Sequence, residues 1–293
     1  MRASDALRLV TLAALWGGSF LFLRIAAPVI GPLFLTELRL AIAAAALLAW
    51  AWMTGGRVRF AGRWKPYLVI GAINSAAPFA LFAYSAVHLP ASYSAVLNAT
   101  SPVFGAVFAA LWLNERLTLR RVGGALAGVV GVALLVGFGP VVADANVVLA
   151  ALAATGGACC YALGAVYARR KAAGIEPIAL AAGSQVGAAF ILAPGLAAWP
   201  GAESFGPGIV ASVLTLALVC TALAYLIYFR LIANVGPARA LTVTLLIPVF
   251  GVLFGVVLLG ESLTPIMLVG GLLVIGATWL VVGETQANAE TAR

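Results

Sequence analysis

The chain has 293 residues, 64% of them hydrophobic and 9% charged, with 17 Lys and Arg against 9 Asp and Glu and a formal net charge of +8. Water-soluble domains carry about a quarter of their residues as charged side chains, so this composition, with a mean hydropathy of +1.12, excludes one and calls for lipid as solvent. The cationic excess does not point to nucleic acid, because the basic residues stand in short clusters between apolar runs, where they act as topology signals.

Gly, Pro and charged clusters divide the chain into ten apolar runs, at 6–27, 33–53, 66–87, 91–113, 119–138, 146–168, 178–199, 208–231, 237–258 and 264–283. Each approaches the ~20 residues that a helix rising ~1.5 Å per residue needs to cross ~30 Å of hydrocarbon. A membrane β-barrel would show segments of about ten residues with strict alternation. Stretches such as Leu40 to Trp52 are instead apolar all round, which favours helices. The fold expected is all-α, with ten transmembrane helices and no inserted soluble domain. For the first run a cleavable signal peptide is the competing reading, since Ala26 and Ala27 follow it; against this, the run is long for a signal and has a counterpart in mid-chain.

Arg and Lys set the expected orientation. Arg2 and Arg8 precede the first run; Arg57, Arg59, Arg63 and Lys65 follow the second; Arg116, Arg120 and Arg121 the fourth; Arg169, Arg170 and Lys171 the sixth; Arg230 and Arg239 flank the exit of the eighth. The odd-numbered exits carry His88, Asp144, Glu203 and Glu261, with Arg24 their one cation. Both termini are therefore expected in the cytoplasm.

A shift of 146 residues lays Pro102-Val103-Phe104-Gly105 on Pro248-Val249-Phe250-Gly251, Glu115 on Glu261, and Leu117-Thr118 on Leu263-Thr264. At a shift of 145, Trp16 meets Tyr161, Arg24 meets Arg169 and Pro32 meets Pro177. The pattern predicts a fused duplication, residues 1–144 and 145–293. Five runs per half is an odd number, so the second half should cross the membrane the other way up. Inverted repeats are how many secondary transporters build one midplane site that opens alternately to each side.

Polar groups inside lipid are costly and face protein or a water-filled cavity, which makes them site candidates. Those chosen to line a substrate cavity are Trp16, Asn74, Tyr84, Tyr93, Asn98, Tyr161 and Tyr225; aromatic faces mixed with amides and hydroxyls suit small zwitterions or aromatic solutes. Interhelical bonding for Asn and interfacial anchoring for Tyr are the bland alternatives. Pro102 and Pro248 each remove a hydrogen bond inside a run, and each precedes a small-xxx-small pair, Gly105/Ala109 and Gly251/Gly255. Pro102, Gly105, Pro248 and Gly251 are thus expected to form paired gates, with static kinks as the alternative.

Arg39 lies ~9 Å inside its run at 1.5 Å per residue, and Glu37 stands on another face of the helix. Bonding to backbone carbonyls or snorkelling outward is expected of Arg39 ahead of contact with a substrate carboxylate. Glu115 and Glu261 are read as structural caps. Cys159, Cys160 and Cys220 are read as small buried hydrophobes, and the single histidine, His88, as an interfacial residue. The sequence offers no metal-ligand spacing, nucleophile elbow or phosphate loop, so no catalysis, metal or cofactor is expected.

Trp16-Gly17-Gly18-Ser19-Phe20, Glu37-Leu38-Arg39-Leu40 and the twice-used run of Pro, apolar Gly-bearing stretch, Glu-x-Leu-Thr and Gly, at Pro102 to Gly124 and Pro248 to Gly270, resemble the drug/metabolite transporter superfamily in its ten-helix EamA type. The resemblance covers nearly the whole chain, and within the superfamily it is similar to YddG-like amino-acid exporters. It implies a multi-pass protein of the bacterial inner membrane and a cavity lined by helices 1, 3, 4, 6, 8 and 9. It further implies export of small metabolites, with apolar or aromatic amino acids leading. A broader exporter of drugs or purine-like metabolites is the alternative, and a flippase-type or structural subunit a more distant one. The first run lacks the mid-membrane acidic residue of the superfamily's four-helix multidrug branch, so that branch's proton coupling does not carry over. The expected partners are a small-molecule substrate and the lipid bilayer, with a monomer sufficient because the duplication lies within one chain.

Overall fold

Continuous apolar sequence with Pro at helix starts dictates long helices, and the computed structural model consists of them. It describes residues 2–113, 118–138, 144–172, 174–236 and 240–291, and no strand occurs among the described residues. In chain order the helices are α1 (Ala3–Ile30), α2 (Pro32–Met53), α3 (Trp64–His88), α4 (Ala91–Trp112), α5 (Leu119–Phe138), α6 (Ala145–Lys171), α7 (Pro177–Ala197), α8 (Pro207–Val235), α9 (Val243–Leu259) and α10 (Pro265–Thr291). Seven of these, α1 to α4 and α6 to α8, are long and apolar enough to cross a membrane; α5, α9 and α10 hold the shorter apolar stretches Val122–Leu134, Val243–Leu259 and Pro265–Leu280.

The local causes of these boundaries are legible. Pro32, Pro177 and Pro207 sit at the first turns of α2, α7 and α8, where a missing N–H costs nothing and φ is already helical. Gly31, at φ 81°, is the whole connection between α1 and α2, a backbone angle that only glycine adopts cheaply. Asp144 caps α6, its Oδ1 accepting from the Val147 N–H at 2.8 Å.

Lipid offers no hydrophobic drive for one helix to prefer another, so packing relies on small residues that let backbones approach. A Cβ on Gly17 of α1 would lie 2.7 Å from the Ile247 carbonyl oxygen of α9, and one on Gly131 of α5 would lie 2.8 Å from the Gly270 carbonyl oxygen of α10. On Gly71 of α3 it would come 2.5 Å from the Ser184 carbonyl oxygen of α7. These three contacts draw α1 to α9, α5 to α10 and α3 to α7. The largest buried cluster joins α1, α3, α4 and α6 through Leu23, Ala83, Leu97 and Ala154, while Leu126, Leu152, Phe190 and Leu272 are exposed around the perimeter.

Two charged side chains fix the turn between α3 and α4. Arg24 Nη1 donates to the Ala86 and Val87 carbonyls at the end of α3, both at 2.8 Å. Glu261 accepts from the Ala91 N–H at 2.6 Å, the Ser92 N–H at 3.0 Å and the Ser92 hydroxyl at 2.5 Å, at the start of α4. Cation at a C-terminus and anion at an N-terminus both suit the helix dipole. Glu261 thus caps a helix distant in sequence, where the sequence placed it before the helix that follows; Glu115 lies outside the described residues. Replacing Glu261 with Ala strands two backbone donors and is expected to cost about 1–3 kcal/mol, whereas Gln, which keeps one acceptor, costs less. Thermal unfolding of the purified protein in detergent checks the order wild type, Gln, Ala.

Candidate functional site

Two helices depart from α geometry in their middles. Residues Ala72–Ala76 of α3 and Thr215–Leu223 of α8 are π-helical, widened turns that leave carbonyls poorly matched and often mark functional sites. In α8 the Thr221 hydroxyl also donates to the Leu216 carbonyl, five residues back, at 2.7 Å. That same oxygen accepts from Arg39 Nε of α2 at 2.9 Å. In α3 the Ser75 hydroxyl oxygen accepts from Gln185 Nε2 of α7 at 3.0 Å. Arg39 and Gln185 are 146 residues apart, and so are Ser75 and Thr221. One shift therefore interchanges the two bonds, each running from a long polar side chain to a hydroxyl on a π turn.

The two donors differ in charge. Arg39 is 5% exposed, and its guanidinium lies 3.7 Å from the centre of the Phe79 ring. No carboxylate pairs with it: the one ion pair among the described residues is Arg8 with Asp5, at 2.7 Å. Its Nη1 and Nη2 have no hydrogen-bond partner among the described residues. A guanidinium carries five N–H donors, so most of this group's capacity is open. Arg39 thus turns into the bundle, correcting the expectation that it snorkels or bonds backbone carbonyls. Gln185 is fully buried, and its Oε1 has no partner.

Tyr225 connects the two sides: it faces Ser75, Gln185 and Asn74, and lies beside Arg39. Tyr161 of α6 also neighbours Arg39, its ring stacked on Phe82 at 5.9 Å and set edge-on to Phe79 at 6.4 Å. Asn74 sits where α6 comes close, within 2.9 Å of the point a Cβ on Gly164 would occupy. The cluster is therefore one guanidinium among amides, hydroxyls and aromatic faces, drawn from α2, α3, α6, α7 and α8.

Of the residues chosen from sequence, the structure brings Asn74, Tyr161 and Tyr225 to this cluster. Trp16 connects to it through rings: it packs on Tyr228 at 5.3 Å, Tyr228 on Phe229 at 5.7 Å, and Phe229 on Tyr225 at 6.0 Å. Tyr84 packs instead on His88 at 5.4 Å, at the end of α3. Tyr93 is buried in the main core with its hydroxyl unpartnered, and Asn98 at the end of the first segment of α4 has a buried, unpartnered Oδ1.

The expected gates are not alike. Pro248 lies buried inside the continuous helix α9, and Gly251 packs against Ala95 of α4. In α4 the helix is interrupted at Ala99 and Thr100, and Pro102 opens the segment Ser101–Leu113. Pro102 therefore stands just after a break instead of kinking a continuous helix. Thr278 of α10 donates to the Ala99 carbonyl freed there, and space around Gly105 is open. Sequence reasoning passed over Gln185, Thr221 and Phe79. The signal for Gln185 was present: it is the residue that the 146-residue shift lays on Arg39.

The described residues hold no group of three or more His, Cys, Asp or Glu placed to bind a metal. Among curated proteins the chain is 28% identical to the uncharacterized transporter YvbV of Bacillus subtilis strain 168, over 99% of this chain and 95% of that one. It is 29% identical to a probable terminal-alkyne amino-acid exporter of Streptantibioticus cattleyicolor, over 100% and 98%, and 28% identical to the threonine/homoserine exporter RhtA of Escherichia coli K12, over 97% and 90%. A crystal structure 21% identical in sequence superposes with a TM-score of 0.67, over 96% of this chain and 98% of that one, and shares the fold. The profile of the EamA-like transporter family matches residues 6–137 and 148–283. This multi-pass membrane protein belongs to the EamA-like transporter family of the drug/metabolite transporter superfamily.

Proposed function

We propose that the protein is a secondary exporter of amino acids in the bacterial inner membrane, working as a monomer by alternating access. In this reading ten helices span the bilayer as two inverted halves, 1–144 and 145–293, with both termini in the cytoplasm. The observation that carries it is Arg39: a guanidinium buried among five helices, without a carboxylate partner and with two nitrogens free to donate. Leaving such a charge in a bundle is costly, and intramembrane ionisable groups that persist mark substrate or ion pathways. A planar fork of donors matches a carboxylate bidentately. The named exporters of amino acids among the relatives, matched end to end, support the same substrate class.

The π turns give the site its means of change. A π turn can relax to α geometry by passing one hydrogen-bond register along, rotating the following residues without unfolding the helix. Arg39 pulled towards a substrate carboxylate would loosen its hold on Thr221 and free the α8 turn to shift. Gly251 closed on Ala95 and the Glu261 cap on α4 then form the seal on the external side. The open space at Gly105 belongs to the other half of the cycle.

Efflux from proteoliposomes loaded with an isotope-labelled amino-acid mixture, with and without a pH gradient, tests the activity; retention of every amino acid would sink this substrate class. Arg39→Met is expected to lower efflux by at least about a hundredfold, the equivalent of losing a charge-assisted bond of roughly 3 kcal/mol. Its melting temperature should hold or rise, because an apolar side chain in place of a lone buried charge is neutral or stabilising. Efflux at the wild-type rate in that variant would remove Arg39 from the site. Tags at either terminus of the protein in intact cells are expected to resist external protease and to be cut once the inner membrane is opened, which checks the orientation.

A further inference from the structure

The geometry points to Gln185 as the residue that reads the substrate's ammonium group, so that the site takes a zwitterion end on, with carboxylate at Arg39 and ammonium at Gln185. This rests on the proposed export function and adds the polarity of the bound molecule. The Gln185 side chain is fully buried; one of its two amide N–H groups donates to Ser75 at 3.0 Å and the side chain also lies against the Tyr225 hydroxyl, while its oxygen is left to meet a ligand. That Oε1 has no partner among the described residues. A buried carbonyl oxygen left unmade costs about 1–3 kcal/mol, and the group that satisfies it has to be a donor. A carboxylate offers no donor; an ammonium offers three.

Arg39 at the opposite pole has the complementary need, two donor nitrogens without an acceptor. Tyr225 lies against Gln185 and near Arg39, so the two residues stand on either side of one tyrosine. The shift that exchanges the two hydrogen bonds makes the scaffold alike at its two poles, while the side chains differ, cationic at residue 39 and neutral at residue 185. A ligand that is itself opposite at its two ends then has one preferred direction in a site that is otherwise the same both ways round. Glu37 is not the ammonium's partner by this geometry: two residues before Arg39, it is displaced about 200° around α2.

The test compares competition for efflux, and the shift in melting temperature, between L-threonine and 3-hydroxybutanoate and between L-phenylalanine and 3-phenylpropanoate; each second compound lacks only the amino group. Wild type is expected to favour the amino acid by about tenfold or more in at least one pair, the worth of one charge-assisted hydrogen bond. In Gln185→Met, whose side chain fills the same space without the acceptor, that preference should fall to about threefold or less while the des-amino acid competes as before. Equal competition in wild type, or an undiminished preference in Gln185→Met, overturns the assignment and leaves Arg39 as a carboxylate site. Competition by neither compound of either pair overturns both the assignment and the proposed function. The wild-type comparison decides whether an ammonium is read even if the variant does not fold.

Discussion

Hydrocarbon will not hydrogen-bond a loose amide, so every backbone group that leaves the helical ladder inside a membrane protein has to be met by another part of the protein. At several of the places where the described residues leave the ladder, a named side chain bonds the backbone. Thr221 bonds the Leu216 carbonyl in the π turn of α8, Thr278 reaches from α10 to the Ala99 carbonyl where α4 breaks, and Arg24 and Glu261 dress the two helix ends at the α3–α4 turn. Pairing of this kind ties specific helices together in a solvent that gives no general hydrophobic preference. The irregular turns are thus also where neighbouring helices are joined, Arg39 of α2 to Thr221 and Gln185 of α7 to Ser75.

The same constraint explains where polarity is concentrated. Ser75 and Thr221 sit in widened turns, and each takes a bond from the middle of a helix belonging to a different part of the chain, Gln185 of α7 or Arg39 of α2. A hydroxyl can accept from one partner while donating to another, which lets Thr221 bond its own helix and hold a neighbour at once. Arg39 and Gln185 are then oriented but not exhausted: each keeps hydrogen-bonding capacity without a partner among the described residues. An enclosure with unspent capacity of both signs binds better than a fully satisfied one, at a cost in stability of the kind that buried binding sites carry.

Much of the architecture was legible because the lipid environment leaves few options. Run length and apolar composition place most helices within a few residues of where the structure has them, and α2, α7 and α8 begin at Pro32, Pro177 and Pro207, one residue before the expected runs. The site was harder to see for a physical reason. Aromatic and amide residues stand out in an apolar helix, so Asn74, Tyr161 and Tyr225, which the structure brings to the candidate cluster, were chosen, but Tyr84 and Tyr93 stand out equally and pack elsewhere. Composition marks a residue as polar without giving its helical face or the depth of its neighbours. Thr221 was invisible because threonine is tolerated anywhere in a membrane helix, its hydroxyl bonding back to its own backbone. The π turns have no signature in composition at all.

The 146-residue shift carries more than its matching motifs suggest. Its strongest matches, Pro and Gly near residues 102 and 248, fall on segments that differ in form: a broken helix with open space at Gly105, and a continuous helix with Gly251 closed on Ala95. Its most informative pair, Arg39 and Gln185, does not match in identity and was invisible to a search for likeness. On the proposed reading as two related halves, the segments differ in closure at one pair of positions and in charge at another, asymmetries that the proposed transport would use. Unequal charge at equivalent donors gives a dipolar substrate a direction, so that the symmetric part of the structure supplies the frame and the mismatched residues supply the chemistry.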